Sequence, residues 1–152
     1  MNKFIYYALC FVLISQLQSC SVFSAPLPYQ ATGETADMLF DIPARYESFS
    51  AAAFNKQPSD FSLDGTILYD GNPMNNNPVK VSANKMLYIR IFYYVDYEHQ
   101  CLTDINYLPL PKKVYRLTIG EVTIKDENKC FVKLSQVVDG KLIPIDISEQ
   151  NK

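Results

Sequence analysis

The chain has no tryptophan, one histidine, five glycines and four cysteines in 152 residues. A single histidine, His99, excludes any mechanism built on a histidine pair. A Ser–His–Asp arrangement with His99 as base is formally open, but no GxSxG or comparable nucleophile setting accompanies it. The plainer reading of His99 is a solvated loop residue. Neither sign of charge dominates: 14 basic residues stand against 16 acidic ones, with no basic stripe. Nucleic-acid binding draws on Lys and Arg against phosphate, so that class is discounted. No apolar run approaches the roughly 18 residues that suggest a membrane-spanning helix.

What is present begins at the N-terminus. Lys3 is the only charge before Cys20, and "FIYYALCFVLI" follows it, an apolar run of eleven residues. At about 1.5 Å per residue this run is too short for a hydrocarbon core of about 30 Å. A positive start, a short apolar core and small residues after it describe an export signal. The end of that signal, "LQSC", resembles a bacterial lipobox: Leu17 three before the cysteine, Ser19 just before it, then Cys20. The resemblance implies cleavage before Cys20, lipid on its sulfur and a membrane anchor, since several acyl chains hold where one does not. Ser21 rather than Asp after the cysteine implies, by similarity to enterobacterial lipoproteins, sorting to the outer membrane. The rival is ordinary cleavage after Ser24, giving a soluble chain that starts at Ala25.

Removing residues 1–19 leaves 133 residues and a net charge near −3, which suits one domain. Cys10 leaves with the signal, and Cys101 and Cys130 remain under either cleavage. Two cysteines in an exported domain most simply form one disulfide, closing a loop of about 30 residues. Free or metal-bound thiols are the alternative. Neither cysteine belongs to a CxxC, and a zinc site would need ligands from elsewhere.

Residues 20–35 read as the lipidated cysteine and a tether, because "SVFSAPLPYQATGET" has prolines, a glycine and small polar residues with no clear period. The domain is expected over 36–148. Within 36–60, "ARYESFSAAAF" fits a first strand and "SFSAAAFN" fits a helical turn equally well. From Phe61 the strand signals become firm. Asp64-Gly65 favours a tight turn with positive φ, and "NPMNNNP" is a loop by composition. In "KMLYIRIFYYV", Leu87, Ile89, Ile91 and Tyr93 share one face, and Tyr88, Arg90, Phe92 and Tyr94 share the other, the pattern of a central strand. "KVYRLTIGEVTI" and "KCFVKLSQVV" continue that character, and Asp139-Gly140 turns into "KLIPIDI". Seven or eight short strands without a strong amphipathic helix predict an all-β antiparallel sandwich.

These residues resemble a family. The order is an exported lipoprotein start, an Asp64-Gly65 turn before "VKVSANKMLYIRIFY", a cysteine, a strand containing Tyr115-Arg116-Leu117, and a second cysteine. It is similar to small uncharacterised bacterial lipoproteins with a transthyretin-like or immunoglobulin-like sandwich, over roughly residues 60–145. In those, a strand pair is often joined as V-x-V-x-x-G-K followed by an apolar residue. Asn84 stands where the glycine would be, and asparagine also accepts left-handed geometry. The resemblance implies the fold and the compartment rather than an activity.

Candidate sites are few. Asp96, Glu98, His99 and Asp104 crowd one stretch beside Cys101, and alternation puts Asp96 and Glu98 on one side, where a pair of carboxylates can take Ca²⁺. Ordinary solvating charge at a strand end is the favoured reading, so no metal or other cofactor is assigned. Eleven tyrosines leave some rings beyond any core of this size. Tyr93, Tyr94 and Tyr97, with Asp96 and Glu98, form the candidate binding group, because tyrosine joins flat contact area to a polar tip. The competing reading is that such rings cover the sandwich. The functional expectation is a non-enzymatic lipoprotein of the bacterial cell envelope, anchored through Cys20, that binds another envelope protein. The alternative is a secreted or periplasmic inhibitor of a hydrolase, acting through the Asp96–Asp104 loop.

Overall fold

The computed structural model describes residues 27–46, 48–59, 65–70, 77–95, 99–124 and 127–147. Cys20, the expected signal, Asp64, Asp96, Tyr97 and Glu98 lie outside these residues.

Among the described residues nine strands form: β1 (Thr35–Asp41), β2 (Phe49–Phe54), β3 (Thr66–Asp70), β4 (Val79–Ser82), β5 (Leu87–Tyr94), β6 (Gln100–Tyr107), β7 (Val114–Ile124), β8 (Glu127–Val138) and β9 (Lys141–Pro144). They make two sheets. One has four strands in the order β3-β2-β5-β6, and the other has five in the order β4-β1-β7-β8-β9. The all-β sandwich expected from the sequence is therefore present. One pairing departs from the antiparallel rule: β1 lies parallel to β7, with Asp37 opposite Val114 and Asp41 opposite Thr118.

The period-two pattern sets the core. On β5, Leu87, Ile89, Ile91 and Tyr93 are buried while Tyr88, Arg90 and Phe92 are half-buried and Tyr94 is exposed. β5 sits between β2 and β6, as its aromatic and β-branched residues predict. Facing it from the other sheet are Met38, Phe40, Tyr115, Leu117, Ile119 and Leu134. The Phe40, Phe49 and Tyr69 rings meet at centroid distances of 4.9 to 5.7 Å, joining β1 of one sheet to β2 and β3 of the other.

The ambiguous alanine triplet is strand. Alanine prefers helix in isolation, but Ala51–Ala53 pair on both sides, with β3 and with β5, and tertiary pairing overrides local preference. β1 was not distinguished by the sequence reading, although Ala36, Met38 and Phe40 alternate cleanly into the core.

Turn chemistry held at two places. Asp139 and Gly140 have φ of 49° and 74°, both left-handed, which closes the two-residue β8–β9 hairpin. Asn84 has φ of 59°, so it fills a glycine's conformational role. The connection it serves is not a hairpin. β4 pairs with β1 and β5 with β2 and β6, so Asn84 turns a corner from one sheet to the other. Gly65 also differs from expectation: it is not left-handed. Its small size matters instead, because a Cβ there would strike the Phe54 ring.

The expected tether is docked from Leu27 onward. Ile67 N donates to the Leu27 carbonyl at 2.9 Å, Tyr29 N donates to the Ile67 carbonyl at 2.6 Å, and Pro28 forms a parallel bridge with Ile67. Tyr29 then packs against the core. Proline content suggested an unattached segment, but residues 27–29 extend along the edge of β3.

Candidate functional site

One end of the sandwich is locked by cross-sheet contacts. Cys101 near the start of β6 and Cys130 within β8 are joined by a disulfide, with their Cα atoms 5.9 Å apart. The bond therefore ties the two sheets together, rather than neighbouring strand ends of one sheet. Cys101 is buried and Cys130 exposed. Tyr93, directly opposite Cys101 in the β5–β6 ladder, adds a second tie. Its hydroxyl donates to the Gly120 carbonyl at 2.8 Å, with the Phe131 carbonyl 3.4 Å away.

This corrects the placement of Tyr93 in a binding group. Alternation along β5 sends its ring into the core, where it is fully buried and 5.2 Å from the Tyr46 ring. Burial pushes its pKa up to about 12, and the neighbouring Tyr46 adds to the shift. Arg45 completes the cluster: one guanidinium nitrogen donates to the Tyr46 hydroxyl at 3.0 Å, and another pairs with Glu121 at 3.3 Å.

Asp104 also moves. The sequence reading put it in a loop with Asp96 and Glu98, but strand β6 starts at Gln100. Asp104 sits opposite Arg90 on β5, whose Nε and Nη2 each donate to one of its oxygens at 2.8 Å. The remaining Arg90 nitrogen donates to the Ser59 carbonyl at 3.0 Å, so the pair fixes the β2–β3 connection on the sheet face. Asp104 is thus an internal clamp. His99 is exposed, and its carbonyl accepts from Val95 N at 2.9 Å, closing the backbone on either side of residues 96–98. Among the described residues no group of three His, Cys, Asp or Glu side chains can hold a metal ion, and no helix is long and apolar enough to cross a membrane.

Of the candidate binding group, Tyr94 does reach the surface. It is 40% exposed and its ring lies edge-on to Phe92 at 5.0 Å. Phe92 stands opposite Leu102, which is 58% exposed. Together they make an apolar patch on the outer face of the four-stranded sheet, beside β6. The two edges of that sheet differ. The β3 edge carries residues 27–29, whereas β6 has no strand on its outer side among the described residues.

A second feature was not read from the sequence. A cleft of about 480 Å³ opens where the docked N-terminal segment faces the ends of β2 and β5. Phe54 and Tyr88, opposite each other in the β2–β5 ladder, both line it. Tyr29 and Gln30 line it from the segment, and Lys85 and Met86 from the β4–β5 corner. The corner is held by polar contacts: Ser82 Oγ accepts from the Tyr29 hydroxyl at 3.0 Å and from Thr32 N at 2.9 Å. A lone tyrosine among prolines in a supposed tether was the available signal, since a ring there needs something to cover it.

Comparison with known protein families, curated proteins and solved structures gives no match.

Proposed function

We propose that the protein is a non-enzymatic lipoprotein of the bacterial envelope, held on a membrane by acyl chains on Cys20, that binds another envelope protein along β6. The observation that carries this reading is the unequal treatment of the two edges of the four-stranded sheet. Residues 27–29 occupy the β3 edge, and among the described residues β6 is left uncovered on the far side. An uncovered edge offers unpaired backbone donors and acceptors for strand addition, and neighbouring side chains supply selectivity. Tyr94 and Leu102 stand beside that edge with large exposed surfaces.

Export is supported by the lipobox-like "LQSC" and by the Cys101–Cys130 disulfide, since such bonds persist in oxidising compartments. Six residues lie between Cys20 and Leu27, and the seven steps reach about 24 Å when extended. The sandwich would thus stand close to its bilayer. A hydrolase inhibitor working through Asp96–Asp104 would need Asp104 available, whereas Arg90 holds both of its oxygens.

Two measurements test the proposal. The intact mass of protein extracted from native membranes is expected to start at Cys20 and carry two or three acyl chains. A chain starting at Ala25 without lipid would overturn the anchor. A photo-crosslinking side chain at Leu102 is expected to capture one envelope protein, and the same group at Leu142 on β9 to capture none. Equal capture at both positions would overturn the β6 assignment.

A further inference from the structure

The cleft beside the docked segment has walls and polar groups of unequal standing. Its hydroxyls nearest the backbone are already used: Ser82 Oγ accepts two hydrogen bonds, and Thr66 Oγ1 donates to the Ala53 carbonyl at 3.3 Å. Other lining groups are not. Among the described residues the Gln30 and Asn55 amides, the Lys85 ammonium and the Tyr88 hydroxyl have no hydrogen-bond or ionic partner. Two of them are amides, each with two donors and an acceptor, and they come from different chain segments. Tyr88, half-buried beside the buried Phe54, adds an aromatic wall, with Tyr29 contributed from the docked segment. Among the described residues Lys85 is the one cation on the lining, and none of them brings a carboxylate. Glu34, close by in sequence to the docked segment, is held by Asn84 Nδ2 at 2.9 Å.

These groups select a ligand by chemistry. Aromatic rings take a ring face that presents C–H groups. Amides of both polarities suit a ligand dense in hydroxyls. A single unpaired ammonium suits one negative charge. A volume of about 480 Å³ admits one or two sugar rings. We propose that this cleft is a binding site for an acidic sugar, its ring face against Tyr88 and its carboxylate against Lys85. The site is separate from the membrane anchor and from the β6 edge, so a failed crosslink at Leu102 leaves it standing.

The test uses the protein as extracted from membranes, in detergent, titrated with digalacturonate and with a neutral disaccharide while backbone amide NMR shifts are followed. A second titration presents the same uronic acid on a glycolipid in neutral vesicles. Binding of the free disaccharide assigns a soluble or polymeric sugar, and binding of the vesicles alone assigns a lipid headgroup. Either result supports the site, provided the shifts fall at residues lining the cleft. Lys85→Gln, at an exposed position, is expected to weaken binding about tenfold, and the neutral disaccharide to bind about tenfold less well. Lys133→Gln on β8, also exposed, is expected to leave affinity unchanged. The proposal is overturned if neither probe binds, if the shifts lie elsewhere, if the neutral sugar binds equally, or if Lys85→Gln behaves as the native chain.

Discussion

Tyr93 was expected on a binding face and instead joins the sheets, and that difference has a measurable consequence at high pH. Its hydroxyl is neutral in the fold and donates to the Gly120 carbonyl. Burial raises its pKa to about 12, against about 10 for a solvated tyrosine. Below about pH 10 the ring is neutral in folded and unfolded chains, and its full contribution to stability is present. Between about 10 and 12 the unfolded chain ionises first, so stability falls, and the contribution is lost as pH rises through the folded value. Urea midpoints measured at about pH 9 and about pH 11 are therefore expected to drop with pH. Tyr93→Phe is expected to lose about 1 kcal/mol at neutral pH and to shed part of that alkaline decline. Tyr107, buried between the sheets, is also held well above its ordinary value by desolvation and then by Tyr115 and Tyr29. Phenolate absorbance should then show Tyr93 and Tyr107 among the late-titrating tyrosines, with the Tyr93→Phe protein lacking one late step.

At the scale of the element, the β7–β8 hairpin depends on one unusual cross-strand pair. Gly120 faces Phe131, and a Cβ on Gly120 would overlap the Phe131 ring. The aromatic side chain covers the bare glycine of its neighbour, which is how a glycine is tolerated within a long strand. Phe131 is 37% exposed, so its ring has room to swing away. Gly120→Ala is accordingly expected to cost about 1 kcal/mol, Phe131→Ala a similar amount, and the double variant clearly less than their sum. A double-mutant cycle from urea melts measures that coupling.

Elements differ in how far the sequence announces them. β5 was legible because every second residue from Leu87 to Tyr93 is apolar and enters one core. The β8–β9 turn was legible because Asp139-Gly140 is a local signal for left-handed backbone. β2 was not, because Ala51–Ala53 carry no period, and only the ladders on both sides make them strand. The Asp104 clamp was invisible for a related reason. Its partner Arg90 is fourteen residues away and is brought opposite by the β5–β6 register. The cleft is further still from any local signal, since its walls come from residues 29–32, 53–55, 66 and 82–88.

For the whole molecule, the Cys101–Cys130 bond adds a covalent side-chain tie between two layers that the peptide chain joins at corners such as Asn84. It closes a separation of 29 residues that contains β7 and reaches into β8. Restricting the unfolded chain over such a loop is worth about 3–4 kcal/mol. Replacing both cysteines with alanine is expected to lower the unfolding free energy in urea by about that amount while the sheets still form. Collapse of the sandwich at neutral pH in the alanine pair, with no folded baseline at zero urea, would mean that the core alone is insufficient.

The parallel contact of β1 with β7 also sets an order in time. Asp37 meets Val114 across 77 positions of sequence. A ribosome releases the chain from its N-terminus at about 5–20 residues per second, so β1 waits about 4–15 s for the strand it must lie beside. β4 can reach β1 sooner, but β7, β8 and β9 arrive together and late. For that interval the five-stranded sheet has no centre, so β1 and β4 form only its edge until β7 arrives.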